Sequence, residues 1–378
     1  MRILIVNRHI FDGVGGSELQ CHQLATEWAR LGHEVLYAAI DGAKHNNSLN
    51  YRVTPLHDTA RGLNNFLFTL RAFDPHIVYW RYNKRHLLRT LISVRRHRPR
   101  AAFVFAASSI GDVSRWTFKG SGPLFRFNSS PHKGARQLAD LVLNGADLIR
   151  SAVAYECMKF VDAFVVLNKD YLPLAPRPAG PRVDSVVHNS VPEGVVPFAW
   201  PRPYVAWVSN FKPIKRPEVL IDIAHLVGAA RPNVDFLMIG STQEDRYKML
   251  VQTLPKNTHY IGSLSPEQVN GVLANATMLV HTSAAEGFGN VFIQAWLQGR
   301  PTISVYFDPE GLINEHGIGF VPGDVTIASH RIVELLDDEE LRTAIGEKAR
   351  TIAKQKFDAR VSALKYLSLF NKALGQRS

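Results

Sequence analysis

The stretch from Met278 to Val305 constrains the chain most. Met278-Leu-Val-His-Thr-Ser283 reads as a buried strand that ends in small polar residues. Glu286-Gly-Phe-Gly289 then turns the chain into a helix running through Trp296, which Gly299 stops before a second strand at Pro301–Val305. Strand, glycine turn, helix and strand at this spacing require a parallel α/β sheet. In such sheets ligands sit at the carboxyl ends of the strands, where a helix opens with free N–H groups. Glu286 adds a carboxylate to that rim, either for a ligand or simply to complement the positive end of the helix.

The pattern recurs at the start of the chain. Arg2–Val6 reads as a buried strand, Asp12-Gly-Val-Gly-Gly-Ser-Glu18 as a loop, Leu19–Leu31 as a helix stopped by Gly32, and His33–Ala39 as the next strand. This βαβ unit lacks the G-x-G-x-x-G spacing of a dinucleotide site. Further strands are expected at His76–Trp80, Ala101–Ala107 and Ala163–Asn168, with one or two helices over residues 137–163. The second half repeats the alternation. Strands are expected at Tyr204–Ser209, Val234–Gly240, His259–Leu264 and Gly317–Val321, and helices at Pro266–Ala274, Ile327–Leu336 and 339–355. Between the halves, Pro173, Pro176, Pro178, Pro181, Pro192, Pro197, Pro201 and Pro203 rule out continuous helix. The division is therefore an N-terminal domain over 1–172, a proline-rich linker over 173–203, a C-terminal domain over 204–356 and a final helix over 357–378. A length of 378 residues suits two domains.

Charge is uneven. The net charge is +11, and the excess peaks over residues 51–100, where eleven Arg and Lys face only Asp58 and Asp74. On the helix around Arg85–Arg96, Leu87, Leu88, Leu91 and Ile92 separate from Arg85, Arg89 and Arg96. That pattern fits a packed helix with a solvated basic face, and it also fits contact with anionic lipid headgroups. No nucleic-acid recognition motif accompanies it. Residues 113–135 read as a mobile loop with Trp116, Phe118, Phe125 and Phe127 among Arg115, Lys119 and Arg126, suited to a membrane interface, to closing over an acceptor, or to packing back on its lobe. The longest apolar run, Ala101–Ala107, is too short to span a bilayer, and Met1–Val6 lacks a signal-peptide layout. With two cysteines, Cys21 and Cys157, and no metal-ligand spacing around them, a cytoplasmic setting is expected.

Glu286-Gly-Phe-Gly289, with Gln294 eight positions after the Glu, resembles the donor-site motif of family-4 (group 1) retaining glycosyltransferases of the GT-B fold. The family usually carries Glu at both ends, so Gln294 removes one carboxylate. The resemblance covers nearly the whole chain, more strongly in the second half. It implies two Rossmann-like domains facing each other across a cleft, with the last helix crossing back to the first. It assigns Gly15 and Gly16 to the donor phosphates and acceptor. Lys215 and Glu286 become the catalytic pair, and Asn210 stands where the family has an Arg five residues before the Lys. Lys212 or Arg216 would then supply the missing charge. Leu264 would meet the nucleotide base, the backbone of Phe288, Gly289 and Asn290 the sugar or phosphate oxygens, and Gln294 the ribose. The histidine that many relatives place near the strand ending at Ala107 is missing; Ser108, Ser109 and Asp112 stand there instead. Ser185–Pro192 resembles the family's short strand and Asn-Gly-Val turn at the domain boundary, with Ser190 for the glycine.

The implied reaction moves a hexose-type unit from a nucleoside diphosphate sugar to a hydroxyl of a glycan or lipid-linked acceptor, with retention. An anionic membrane surface is a further expected partner of the first domain, placing the chain in the cytoplasm and peripheral to the membrane's inner face. The sequence contains no Asp-x-Asp pair, so no metal and no other cofactor is expected. Two alternatives stand: a nucleotide-sugar epimerase of the same fold, which needs cleft acids and histidines that the sequence does not cluster, and a degenerate relative that binds nucleotide or lipid without turnover.

Overall fold

The computed structural model describes residues 1–11, 15–42, 48–59, 62–116 and 147–377. The chain divides into two units, one of Met1–Val187 with Ser362–Ser378 and one of His188–Val361.

In the first unit the strands are β1 Arg2–Asn7, β2 Glu34–Ile40, β3 Arg52–Thr59, β4 Gly62–Asn64, β5 Ile77–Trp80, β6 Ala102–Ala106, β7 Ala163–Val166 and β8 Val183–Val186. Its helices are α1 Gly16–Arg30, α2 Phe66–Phe73, α3 Leu87–His97, α4 Ile110–Val113 and α5 over residues 147–157. Among the described residues the sheet order is β4-β3-β2-β1-β5-β6-β7-β8, parallel except for the β3–β4 pair. Because both faces are covered, the strands are continuous apolar runs whose alternate residues enter different cores. Leu4 and Val6 pack on one side with Phe103 and Phe105, while Ile3 and Ile5 pack on the other with Trp28.

The proline-rich stretch is not all connection. Val183–Val186 pairs in parallel with β7 as the edge strand of this sheet, beginning two residues before the Ser185 start that the sequence suggested. Of the aromatic loop, Arg115 and Trp116 are described; Phe118, Lys119, Phe125, Arg126 and Phe127 lie outside the described residues.

The second unit contains β9 Tyr204–Val208, α6 Pro217–Ala230, β10 Asp235–Ile239, α7 Asp245–Leu250, β11 Thr258–Gly262, α8 Pro266–Asn275, β12 Met278–His281, α9 Asn290–Leu297, β13 Thr302–Ser304, α10 Leu312–His316, β14 Gly319–Phe320, α11 Val325–Asp337 and α12 Glu339–Phe357. Its sheet runs β11-β10-β9-β12-β13-β14, every pair parallel. The order reverses between β9 and β12, which makes their carboxyl ends the switch point where ligands bind in doubly wound sheets.

The last helix, α13 Ala359–Gly375, returns to the first unit from Ser362 onward. Ala363, Tyr366, Leu369, Phe370 and Ala373 line its buried stripe, and the Trp28 indole donates to the Ala363 carbonyl at 3.2 Å. Among the described residues no helix is long and apolar enough to cross a membrane.

Candidate active site at the carboxyl edge of the second sheet

The switch point carries Glu286. Two turns bring its neighbours to it. After β9 the chain makes a short 3-10 turn, Pro213–Lys215, and Arg216 takes a left-handed backbone so that Pro217 can open α6. This turn is fastened to the end of β12. Ala284 N–H donates to the Ile214 carbonyl at 2.9 Å, Thr282 Oγ1 donates to the Lys215 carbonyl at 2.7 Å, and the Trp207 indole donates to Thr282 Oγ1 at 2.8 Å. Lys215 is thereby held with its ammonium donating to Glu286 Oε1.

Oε1 is shared. Ser283 Oγ donates to it at 2.9 Å and His281 Nε2 lies 3.1 Å away. Sequence reading placed His281 and Ser283 only as the end of a strand; their approach to Glu286 depends on the turn that follows. Phe292 packs on the His281 ring with centroids 4.4 Å apart. Burial would raise the Glu286 carboxyl, but the His281 hydrogen bond and the Lys215 charge outweigh it and bring the pKa down to about 2. Burial also lowers the His281 pKa against the pull of Glu286. A neutral imidazole follows, with Nε2–H donating to a carboxylate that can only accept, and Nδ1 facing Ser304 Oγ at 3.2 Å.

Gly289 begins α9 at φ +88°, where a side chain is strained and a Cβ would meet the Phe292 ring. The first N–H groups of a helix have no partner within it, so the α9 start presents donors beside Glu286. The turn is anchored by the Phe288 ring, which is buried against His188, Trp296 and Phe357. Asn290 is held through its side-chain oxygen, which accepts from Asn189 Nδ2 at 2.7 Å.

The remaining expected residues scatter. Gln294 is buried, and its amide nitrogen donates to Asn270 Oδ1 at 2.9 Å and to the Pro266 carbonyl at 3.2 Å, tying α9 to α8. Asn210 Oδ1 accepts from Ser241 N–H at 3.2 Å, steadying the loop after β10. Lys212 is exposed and Arg216 lies over the Tyr306 ring at 4.7 Å, whereas Lys215 bonds Glu286. Leu264, two residues past β11, packs partly onto the core.

In the first unit, Gly15 caps α1 and Gly16 is its first residue. Beside this loop stand two histidines that the sequence did not single out. His9 Nε2 is 2.9 Å and His22 Nδ1 2.5 Å from the Tyr51 hydroxyl, and burial, then His22, lowers the His9 pKa to about 4. At the end of β6, Asp112 accepts from the Ser108 and Ser109 N–H groups at 2.8 and 2.9 Å and so caps α4. Among the described residues no group of three His, Cys, Asp or Glu is placed to hold a metal ion.

The family model "Glycosyl transferases group 1" matches residues 196–352, almost the whole second unit and all of the Glu286 cluster. Its second unit is therefore a glycosyl transferases group 1 domain, a match over somewhat less than half of the chain. The chain is 26% identical over 174 residues to a poly(ribitol-phosphate) alpha-N-acetylglucosaminyltransferase of Staphylococcus aureus, a match spanning 44% of the chain and 35% of that relative. It is 29% identical over 158 residues to a GDP-mannose-dependent monoacylated alpha-(1-6)-phosphatidylinositol monomannoside mannosyltransferase of Corynebacterium glutamicum, spanning 39% and 42%. The chain thus covers less than half the length of these curated relatives. Among solved structures, Anabaena HepE in complex with UDP-glucose superposes with a TM-score of 0.70 at 20% identity, over 97% of this chain and 99% of that one. A glycosyltransferase from Rickettsia africae gives 0.72 at 15% identity, over 99% and 98%. These likenesses establish the GT-B fold, with two Rossmann-like units and a C-terminal helix belonging to the first.

Proposed function

We propose that this chain is a retaining glycosyltransferase that moves a hexose-type sugar from a nucleoside diphosphate sugar to a hydroxyl of a glycan or lipid-linked acceptor, without a metal ion. The observation that carries the reading is the ionised Glu286, bonded by Lys215, His281 and Ser283 at the switch point of the second sheet. A fixed carboxylate accepts hydrogen bonds from sugar hydroxyls and orients the ring. The Lys215 ammonium has three N–H donors and gives one to Glu286, so it can also meet the leaving diphosphate. Together with the N–H groups opening α9, it supplies the electrostatic stabilisation that a metal gives elsewhere. HepE was seen with UDP-glucose and the Corynebacterium relative is GDP-mannose-dependent, so uridine and guanosine diphosphate sugars are the donors to try first.

An anionic membrane surface is the setting we assign to the acceptor. Leu88 and Ile92 are exposed one turn apart on α3, with Arg89 and Arg96 beside them, a pairing that suits a lipid interface.

The deciding experiment incubates the chain with each donor and a panel of acceptors in EDTA, reading nucleoside diphosphate release and the anomeric configuration of the product by NMR. Acceptor-dependent release with a retained anomer is expected. An epimerised sugar formed without acceptor, or activity that returns only with manganese, would overturn the reading.

A further inference from the structure

The first unit contains an open cavity of about 670 Å³ that lies apart from the Gly15–Gly16 loop. Three strand ends open onto it: Asp41 follows β2, Asp58 and Thr59 end β3, and the segment after β5 supplies Asn83, Arg85, His86 and Arg89. These strands are parallel, so the cavity occupies the carboxyl edge of the sheet, where this class of fold places its ligands. Helix α5 forms the facing wall through Ile149, Arg150 and Val153.

The acids of the cavity hold its own wall. Asp41 Oδ1 accepts from the Asp58 N–H at 2.9 Å, Asp58 Oδ2 accepts from the Tyr82 hydroxyl at 2.7 Å, and Asp58 Oδ1 lies 3.0 Å from His86 Nε2. Asp147 sits between two guanidiniums, 3.3 Å from Arg85 and 3.6 Å from Arg150. Formal charges therefore balance, but their positions do not. The Asp147 carboxylate is 12% exposed, whereas the Arg150 side chain is 67% exposed and Arg89 is also exposed. An entering molecule meets guanidinium forks first, and these match phosphate or carboxylate oxygens in pairs. Leu88, Ile149 and Val153 add exposed aliphatic surface at the rim.

We infer that this cavity binds a polyol carrying a phosphate or carboxylate group, with Arg89 and Arg150 gripping the anion and His86, held by Asp58, meeting a hydroxyl. Its role as the acceptor site rests on the function proposed above. The same chemistry comes from a soluble sugar phosphate or from a lipid-linked one, whose chain would lie on the aliphatic rim.

Calorimetric titration of the full chain separates these. The probes are glucose 6-phosphate, glucose, and dodecyl phosphate below its micelle concentration, with uridine and guanosine diphosphate titrated in parallel. Glucose 6-phosphate should bind and glucose should bind at least about tenfold more weakly; the double variant Arg89→Gln with Arg150→Gln should lose at least about tenfold in phosphate affinity, a change of the size expected for guanidinium–phosphate contacts. Nucleotide affinity should be unchanged. Tighter binding of dodecyl phosphate, weakened by Ile149→Ser, identifies the lipid-linked source; weaker binding identifies the soluble one. Failure of both phosphates to bind, indifference to the arginine changes, or equal binding of glucose would overturn the inference. Loss of nucleotide binding alone would count against the proposed function and not against the cavity.

Discussion

His281 Nε2 lies 3.1 Å from Glu286 Oε1, on the same oxygen that takes the Lys215 ammonium. One carboxylate oxygen therefore joins the end of β12, the turn after β9 and the start of α9. Changing Glu286 to Gln keeps the shape and removes the charge. Charged hydrogen bonds contribute roughly 1.5–3 kcal/mol each, so transfer should fall at least about tenfold and by more than a hundredfold if two are lost. Lys215→Ala should fall similarly. Steady-state transfer rates, with circular dichroism as the control for folding, check both; a variant within twofold of the parent would remove Glu286 or Lys215 from the site.

The same contacts make stability depend on pH. The Glu286 pKa is depressed from 4.5 to about 2, so its contribution is complete above pH 4.5 and is lost as pH falls toward 2. The His281 pKa is also depressed, from 6.5, because burial opposes its charge; protonation favours the unfolded chain, and stability declines as pH drops below 6.5. Both effects have one sign. Denaturant midpoints should fall from pH 7 to pH 3, and His281→Gln should flatten the upper part of that decline, between pH 6.5 and 4.5.

Packing under the final helix gives a prediction independent of the site. Trp28 is fully buried with ring centroids 5.5 Å from Tyr79, 5.8 Å from Tyr366 and 5.1 Å from Phe370. Trp28→Ala should cost about 3–5 kcal/mol through lost contact and the cavity left behind. Tyr366→Phe removes only the hydrogen bond from Tyr79 at 3.1 Å and should cost about 0.5–1.5 kcal/mol. Scanning calorimetry of the two variants should rank them in that order.

Much of this was legible because parallel strands covered on both faces must be apolar throughout. Ile3–Val6 and Phe103–Phe105 announce themselves, and so does the glycine turn at Glu286–Gly289. Val183–Val186 was harder: Asp184 and Ser185 interrupt it, and an edge strand needs burial on fewer sides. His281 could be read as a strand residue but not as a partner of Glu286, since only the left turn at Gly289 and the stitching of Thr282 to Lys215 bring the groups together. The cavity after β2, β3 and β5 was invisible for the same reason. Its lining is drawn from separate stretches between Asp41 and Ala154, and no local pattern joins Asp58 to Arg150.

Gln294 gives the sharpest test of how far this chain departs from the Glu that the motif resemblance leads one to expect. Its amide nitrogen donates to Asn270 Oδ1 and to the Pro266 carbonyl, both acceptors. A carboxylate at 294 would face those two oxygens without a proton to offer. Asn270 cannot simply turn over to present its own N–H groups, because Nδ2 already donates to the Pro192 and Gly194 carbonyls at 2.7 and 2.8 Å. Gln294→Glu should therefore leave a buried acceptor pair unsatisfied and cost about 1–3 kcal/mol, lowering the melting temperature by several degrees. Because the carboxyl can escape the conflict by binding a proton, the loss should shrink as pH falls toward 4, opposite in sign to the parent's behaviour. Asn270→Ala forfeits the bonds to Pro192 and Gly194 as well, so the clash is read from a double-mutant cycle: Gln294→Glu should cost less in the Asn270→Ala background than in the parent at neutral pH. Thermal melts of the single and double variants across pH 4–8 measure this directly, and equal stability of Gln294→Glu and the parent at pH 8 would show that Asn270 does not hold residue 294 to an amide.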